Sequence, residues 1–529
     1  MTRAPSRGLA AVAAAALLAS CGSGPEPVDP THLRIAYGWY PTCFDYAQSN
    51  PFAIFGRQVL DTLLSKNPDT GALEPYLAES WKTLDDGRTY EFTVRDGVTF
   101  SNGEALTARV VADNFEKLWE LAGQGVSPTA GAYLRGYERA EAVDDRTVRV
   151  RFTQANAGFP QANTEGQFGI IAPASLARTP EERCAQGTVG SGPYVLDEAV
   201  QDERVEYVKR QGYDWAPAAF SHAGEAALDR VTIRIVPEEN VRASGVLAGE
   251  HDVAYSMTET GLAQARGSDS VATVVAPGIG VVNSFLVNTA HPVLADPAVR
   301  RALQHGIDRE EYAKTFYGEG VEAATDVVSR AHPYYRDRSA LLAHDPALSR
   351  DLLDEAGWVP GDGGVRVKDG VRLELELTYS SGDIGTARSG WEYVQSRLAE
   401  IGIALRLSPV SDAEQLDRRN AGTWQLAVGQ GASRGDADGI AAFYHTGLTT
   451  WKSQQARPEV DEPLDRQART VDPEERRRIV DQAVTTILDQ GYGIPLFDSS
   501  QVILVSGSVR DLTFPVSPWE PILYRAKKG

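Results

Sequence analysis

The sequence predicts an α/β protein. Short segments alternate apolar and polar residues with the period of a strand, and others open on a capping residue and continue at helical spacing. The two kinds interleave from Leu33 onward, with no internal repeat and no low-complexity stretch. Residues 88–100 (RTYEFTVRDGVTF) set Tyr90, Phe92 and Val94 against polar neighbours and turn at Asp96-Gly97, which reads as a hairpin. The same period-two pattern recurs at 146–152 (RTVRVRF), 231–236 and 373–377. Asp296-Pro297 supplies an N-cap and a first-turn proline, opening a helix through Val299, Leu303 and Ile307. Residues 352–356 end on Gly357, a C-terminal glycine stop. Asp472-Pro473-Glu474-Glu475 caps a last long helix carrying Val480, Val484, Ile487 and Leu488 on one face.

The chain of 529 residues is long enough for about three or four domain-sized units. With 42% hydrophobic and 23% charged residues it has the composition of a folded protein. Its net charge of −20 argues against a nucleic-acid partner, because phosphate binding needs clustered Lys and Arg. That acidic excess reads mainly as solubility.

The N-terminus is a separate object. Arg3 and Arg7 give a positive start, and residues 8–19 form a short run of small and apolar residues. Such a run is too short to span a bilayer and suits a signal peptide over 1–20. It ends Leu18-Ala19-Ser20-Cys21-Gly22, which resembles the lipobox of bacterial lipoproteins. By that resemblance Cys21 becomes the mature N-terminus and carries acyl chains, with 21–30 as a tether; two or more chains anchor stably. Cys43 and Cys184 then remain as an even pair in an oxidising compartment, either bonded to each other or as two buried thiols. No C-x-x-C occurs, and the eight histidines are scattered without His-x-His or His-x-x-x-His spacing, so no metal site and no cofactor are expected.

Several segments together resemble the solute-binding proteins of ABC importers, in the large family that takes oligopeptides, dipeptides, nickel chelates and related solutes. The most specific stretch is LAESW at 77–81, followed by DDGRTYEFTVRDGVTFSNGEALTARVVADNF at 85–115. Further matches are Gly190-Ser191-Gly192-Pro193-Tyr194, FLVNTAHPVLADPAVRRALQHGI at 285–307 with Asp308-Arg309-Glu310, 352–358, and Gly493-Ile494-Pro495-Leu496. The resemblance implies a two-lobed periplasmic-binding-protein-like fold with a hinge. Lobe 1 would be 31–66, 190–284 and 498–529, with 67–189 as its extra subdomain and 285–497 as lobe 2. The chain would cross between lobes near 277–284 and 497–500, and closure about those crossings would trap solute in the cleft.

Gly431-Ala432-Ser433-Arg434-Gly435 fits the G-x-S-x-G nucleophile elbow of serine hydrolases, which also needs a downstream Asp and His. Only His445 follows Ser433, twelve residues on, too close to come from a loop after the last strand of a hydrolase sheet. In peptide-binding members of the resembled family, a similar segment carries an acid that pairs with the ligand's α-ammonium. Asp436 takes that position here, with Asp438 two residues on. Arg434, two residues before it, either neutralises Asp436 internally or binds an anionic ligand group; a solvated or capping acid pair is the plainer alternative. Dipeptide-specific relatives also carry an Arg for the ligand carboxylate just before the helix at 390–401. This chain has Tyr379-Ser380-Ser381-Gly382-Asp383 there and Arg388 displaced, which argues against that mode of capture.

Tyr40, Phe44 and Tyr46, in the loop after the first strand, are candidate cleft aromatics together with Trp391 and Trp424, core packing being the alternative for each. Asn283, at the first crossing, is a further candidate. The expectation is an extracytoplasmic lipoprotein, monomeric and non-enzymatic. It would deliver a peptide, peptide-like or other small solute, a chelated metal included, to membrane permease subunits.

Overall fold

The computed structural model describes residues 29–48, 53–67, 71–220, 222, 224–318, 320–381, 386–429, 435–449, 451, 455–498, 500–514 and 519–529. The signal segment, Cys21, tether residues 22–28, Gly382, Asp383, Ser433 and Arg434 lie outside the described residues.

The fold has two lobes, each built on its own sheet. The seven-stranded sheet runs, edge to edge, Val271–Pro277, Ser500–Ser506, Val253–Ala254, His32–Tyr37, Arg230–Ile235, Arg204–Lys209 and Tyr194–Val200. His32–Tyr37 lies near its centre and pairs in parallel with neighbours on both sides. Burial of Leu33, Ile35, Ala36 and Tyr37 follows from that central place. The five-stranded sheet runs Ala404–Val410, Glu374–Ser380, Leu426–Gly429, Asn283–Val287 and Gly493–Phe497. Its parallel pair Glu374–Ser380 and Ala404–Val410 is joined by the helix Thr386–Ala399, as a parallel connection requires. The chain passes from the first sheet to the second between Pro277 and Asn283, and returns between Phe497 and Ser500.

A four-stranded antiparallel sheet, Ala78–Leu84, Thr89–Val94, Thr147–Phe152 and Tyr137–Ala142, is covered by the helix Ala108–Gly123. Thr107 caps that helix, its hydroxyl accepting from Val110 N. Beneath it Phe159 is enclosed by the rings of Tyr90, Phe115 and Phe152, with centroids 4.8–5.5 Å away. Cys43 and Cys184 are joined as a disulfide, and Phe44 N donates to Cys184 O.

The capped helices form where the sequence places their signals. Asp296 accepts from Ala298 N ahead of Pro297–His305, Asp472 accepts from Glu475 N ahead of Pro473–Asp489, and Gly357 takes φ +85° after Pro346–Glu355. The hairpin expected over 88–100 is a correction. Thr89–Val94 is a strand, but both its edges are taken, by Ala78–Leu84 on one side and Thr147–Phe152 on the other. The residues after Asp96-Gly97 therefore cannot pair back onto it. They form a short loop instead, in which Leu106 N donates to Val98 O and Val98 and Phe100 are buried.

The Gly190–Tyr194 turn is pressed against the backbone at Gln58-Val59. Gly192 N donates to Val59 O and Tyr194 N to Gln58 O, while a Cβ on Gly190 would stand 1.8 Å from Val59 O. Gly190→Ala should therefore cost about 3 kcal/mol in urea unfolding, because the obstacle is backbone and cannot rotate away. Gly123→Ala, whose added Cβ would meet nothing within 4 Å, should leave the midpoint unchanged or raise it.

Candidate functional site

Three helices of the second lobe, Ala437–Tyr444, Pro458–Arg469 and Pro473–Asp489, share a core that includes Ile440, Val460, Leu464, Val480 and Val484. Each sends polar groups to one buried place. Asp436 is the N-cap of the first helix and accepts from Asp438 N at 2.7 Å. Arg476, in the first turn of the third helix, donates from Nη2 to Asp436 Oδ2 at 3.2 Å. Gln467 of the second helix joins them: its Nε2 donates to Asp438 Oδ1 at 2.8 Å and its Oε1 accepts from Arg476 Nε at 2.9 Å. All four side chains are buried, so each charge depends on the others for what water would have supplied.

The opposite wall comes from the subdomain that carries the four-stranded sheet. Arg135 reaches Asp438 Oδ1 at 3.2 Å and Asp465 Oδ1 at 3.4 Å. Ala157 N donates to Ala468 O at 2.9 Å. A Cβ on Gly158 would stand 2.3 Å from Asp438 Oδ2 and 2.9 Å from Asp436 Oδ2, so the absent side chain is what lets the two walls meet. Gly158 is held there by its neighbour Phe159 in the aromatic cluster below. Lys66, at the end of the strand Leu64–Lys66, comes to the same seam; a Cβ on Gly435 would lie 2.3 Å from its Nζ. The lobes are thus in contact, with charge buried on both sides.

Electrostatics follow from that burial. Desolvation, and then the Asp438 charge, push Asp436 up to about 6 against the pull of Arg476. Desolvation lowers Lys66, with Glu165 and Asp436 acting the other way. Arg476 loses solvation too, but Asp436 more than compensates and holds it protonated.

Of the residues singled out from sequence, Asp436 and Asp438 come together here, and among the described residues the cation bonded to Asp436 is Arg476. Asn283 opens the strand Asn283–Val287 at the crossing, opposite Phe497. Tyr40 and Phe44 pack edge to face at 5.8 Å. Tyr46 is buried in the first lobe, its hydroxyl donating to Glu520 Oε1 at 2.6 Å. Trp391 packs on Tyr379 in the second-lobe core with centroids 4.3 Å apart, and Trp424 packs on Trp451 at 5.0 Å. Arg388 pairs with Glu392 on the exposed side of its helix. His445 Nδ1 accepts from Gly447 N, and its Nε2 lies 3.4 Å from Asp465 Oδ1 without a hydrogen bond to it. Among the described residues no group of three His, Cys, Asp or Glu side chains is placed to hold a metal ion, and no helix is long and apolar enough to cross a membrane. Gln467, Arg476, Arg135, Gly158 and Lys66 were not singled out from sequence. Only the position of Arg476 in the first turn after the Asp472 cap is a local signal, and it does not reveal the side chain's target.

Comparison with known proteins gives a consistent result. The family model for the bacterial extracellular solute-binding proteins, family 5 middle, matches residues 72–454. The glutathione-binding protein GsiB of Escherichia coli O1:K1 / APEC is 27% identical over 458 residues, covering 83% of each chain. NikA from Brucella suis, solved with Fe(III)-EDTA, superposes with a TM-score of 0.80 at 23% identity over 94% of this chain and 100% of that one. DppA from Helicobacter pylori, solved with the peptide STSA, gives 0.76 at 20% identity over 94% and 98%. At those identities the two structures establish the shared fold.

The raised Asp436 carboxyl has a defined consequence. Between its ordinary 3.8 and about 6, the folded protein holds a proton that the unfolded chain has released. Its contribution to stability therefore falls as pH rises from 4 to 6 and is flat above that. In thermal melts, the wild-type Tm minus that of Asp436→Asn should decline between pH 4 and 6 and level off by pH 7. A difference that does not vary with pH would contradict the shift.

Proposed function

Since the chain belongs to the family 5 extracellular solute-binding proteins of ABC importers, we propose that it captures a peptide or peptide-like solute between its lobes by hinge closure. The observation that carries this reading is the seam itself. Charges from both sides come together there: Asp436, Asp438 and Arg476 of the second lobe, with Arg135 bonded to Asp438 and Lys66 buried beside Gly435. A solute closes such a protein only through contacts it makes better in the closed state than in the open one. Peptide chemistry fits, because a peptide offers an ammonium, a carboxylate and backbone amides to a charged, hydrogen-bonding cleft. The relatives' ligands point the same way: glutathione, the tetrapeptide STSA and Fe(III)-EDTA all carry carboxylates. The work done is binding and delivery, without covalent chemistry, by a monomer that docks on permease subunits. The segment 431–439 (GASRGDADG) then serves in binding, with its Asp436 as the N-cap of the helix Ala437–Tyr444.

We place the protein outside the cytoplasm, held to the membrane by acyl chains on Cys21, because the lipobox-like LASCG follows a signal-type run. Cys21→Ala, expressed in a diderm or monoderm bacterial host, should move the protein from the membrane fraction to the soluble extracytoplasmic one; retention in the membrane pellet would refute the anchor.

Closure gives the direct test of function. Calorimetry of the full-length protein with glutathione and with Ser-Thr-Ser-Ala should show binding, and small-angle scattering should show a smaller radius of gyration when bound. Gly158→Leu obstructs the meeting of the walls from outside the cores of both lobes. It should weaken that binding at least tenfold, about 1.4 kcal/mol, and leave the bound protein at the radius of the open form. Unaltered affinity and radius in Gly158→Leu would show that these walls do not meet on binding.

A further inference from the structure

Lys66 brings to the seam an ammonium that meets no hydrogen-bonding partner. Its residue is 2% exposed, and its ammonium has three donors with no acceptor in reach. The groups around it do not supply one. The site of a Cβ on Gly435 lies 2.3 Å from Lys66 Nζ, 3.1 Å from the Ile279 Cγ2 methyl and 3.8 Å from Gln161 Nε2, itself a donor that bonds to Thr164 Oγ1. Glu165 and then Asp436 are near enough to act through their fields, yet neither hydrogen-bonds the ammonium; Asp436 Oδ1 is taken by Asp438 N and its Oδ2 by Arg476. An ammonium buried with unmatched donors is costly, and an apolar side chain of the same length would avoid that cost. The position is also informative. Lys66 from the first lobe, Gln161 from the subdomain, Ile279 from the crossing between lobes and Gly435 from the second lobe converge on one point. Gly435 directly precedes the Asp436 cap.

We propose that Lys66 is a specificity-determining residue, whose ammonium receives a carboxylate of the solute as the lobes close. This rests on the solute-binding reading above and adds the chemical group selected. A cleft that places an unmatched ammonium at the convergence of all its walls selects for a solute that brings an anion there. A solute without one leaves the donors unsatisfied and closes the lobes less well. Lys66 thereby supplies the carboxylate recognition that no arginine provides at the start of the helix Thr386–Ala399, where Arg388 faces Glu392.

The test uses four probes on the purified full-length protein: glutathione and its dimethyl ester, and Ser-Thr-Ser-Ala as free acid and as C-terminal amide. Wild type should bind at least one acid ten or more times tighter than its neutralised form. Lys66→Met, which keeps the apolar stem and drops the charge, should bind that acid and its neutral form alike, at the weaker level. Without ligand, Lys66→Met should still unfold cooperatively, with a melting temperature lowered only by the loss of the cation that faces Glu165 and Asp436; Lys66→Arg should retain a preference for the acid. Wild-type selectivity that survives in Lys66→Met would overturn this inference and leave the solute-binding reading intact. A Lys66→Met protein that no longer unfolds cooperatively would assign the residue a structural role instead. Wild type that binds none of the four probes would remove both the inference and the peptide reading on which it rests.

Discussion

Charge buried between two lobes has to be matched across the gap, and the rest of this structure is arranged around that requirement. Asp436 and Asp438 would be prohibitively placed if either faced only its own lobe's apolar core. Arg476 and Gln467 reach them from two different helices of that lobe, and Arg135 from the opposite wall. Such a network contributes little net stability beyond a well-packed apolar alternative, but removing any one member strands the others. Its use is conformational. In the closure proposed above, water satisfies these groups when the lobes part, and protein or solute must satisfy them when the lobes meet, so closure depends on what the cleft contains.

That dependence needs stiff walls and a pliant connection. Phe159 locks Ala157-Gly158 in place from below through three aromatic neighbours, and the second lobe presents its polar groups from a three-helix layer with a continuous core. The crossings are short. Val282 N donates to Val327 O and Ser329 N to Gly280 O, while Phe497 stacks on Tyr317 at 4.1 Å, so both strands are braced just where they leave the second sheet. Only a few residues are left between the braced ends, which is where the proposed closure would bend.

Much of the secondary structure was legible because it depends on near neighbours. The Asp296, Asp472 and Gly357 signals act within one helical turn, and their helices begin or end accordingly. The hairpin over 88–100 was misread for the opposite reason. A turn signal says that the chain can fold back, not that a sheet edge is vacant, and strands from 78–84 and 147–152 had filled both edges. Aromatic residues were ambiguous in the same way. Trp391 and Trp424 pack against other rings, and Tyr46 finds Glu520 at the far end of the chain. Asp436 stood out from its local text, whereas Arg476, its cation, lies 40 positions on in another helix.

The sequence by itself determined the family, the α/β class and the local elements, because motif order, alternation and capping are recorded in adjacent residues. Only the tertiary structure decided which charges face one another, which glycines admit a neighbouring wall, and that Lys66 is buried without an acceptor. Those are properties of the space between distant segments. No run of neighbouring residues encodes them, since burial and pairing energies are set by what the completed fold brings within a few ångströms.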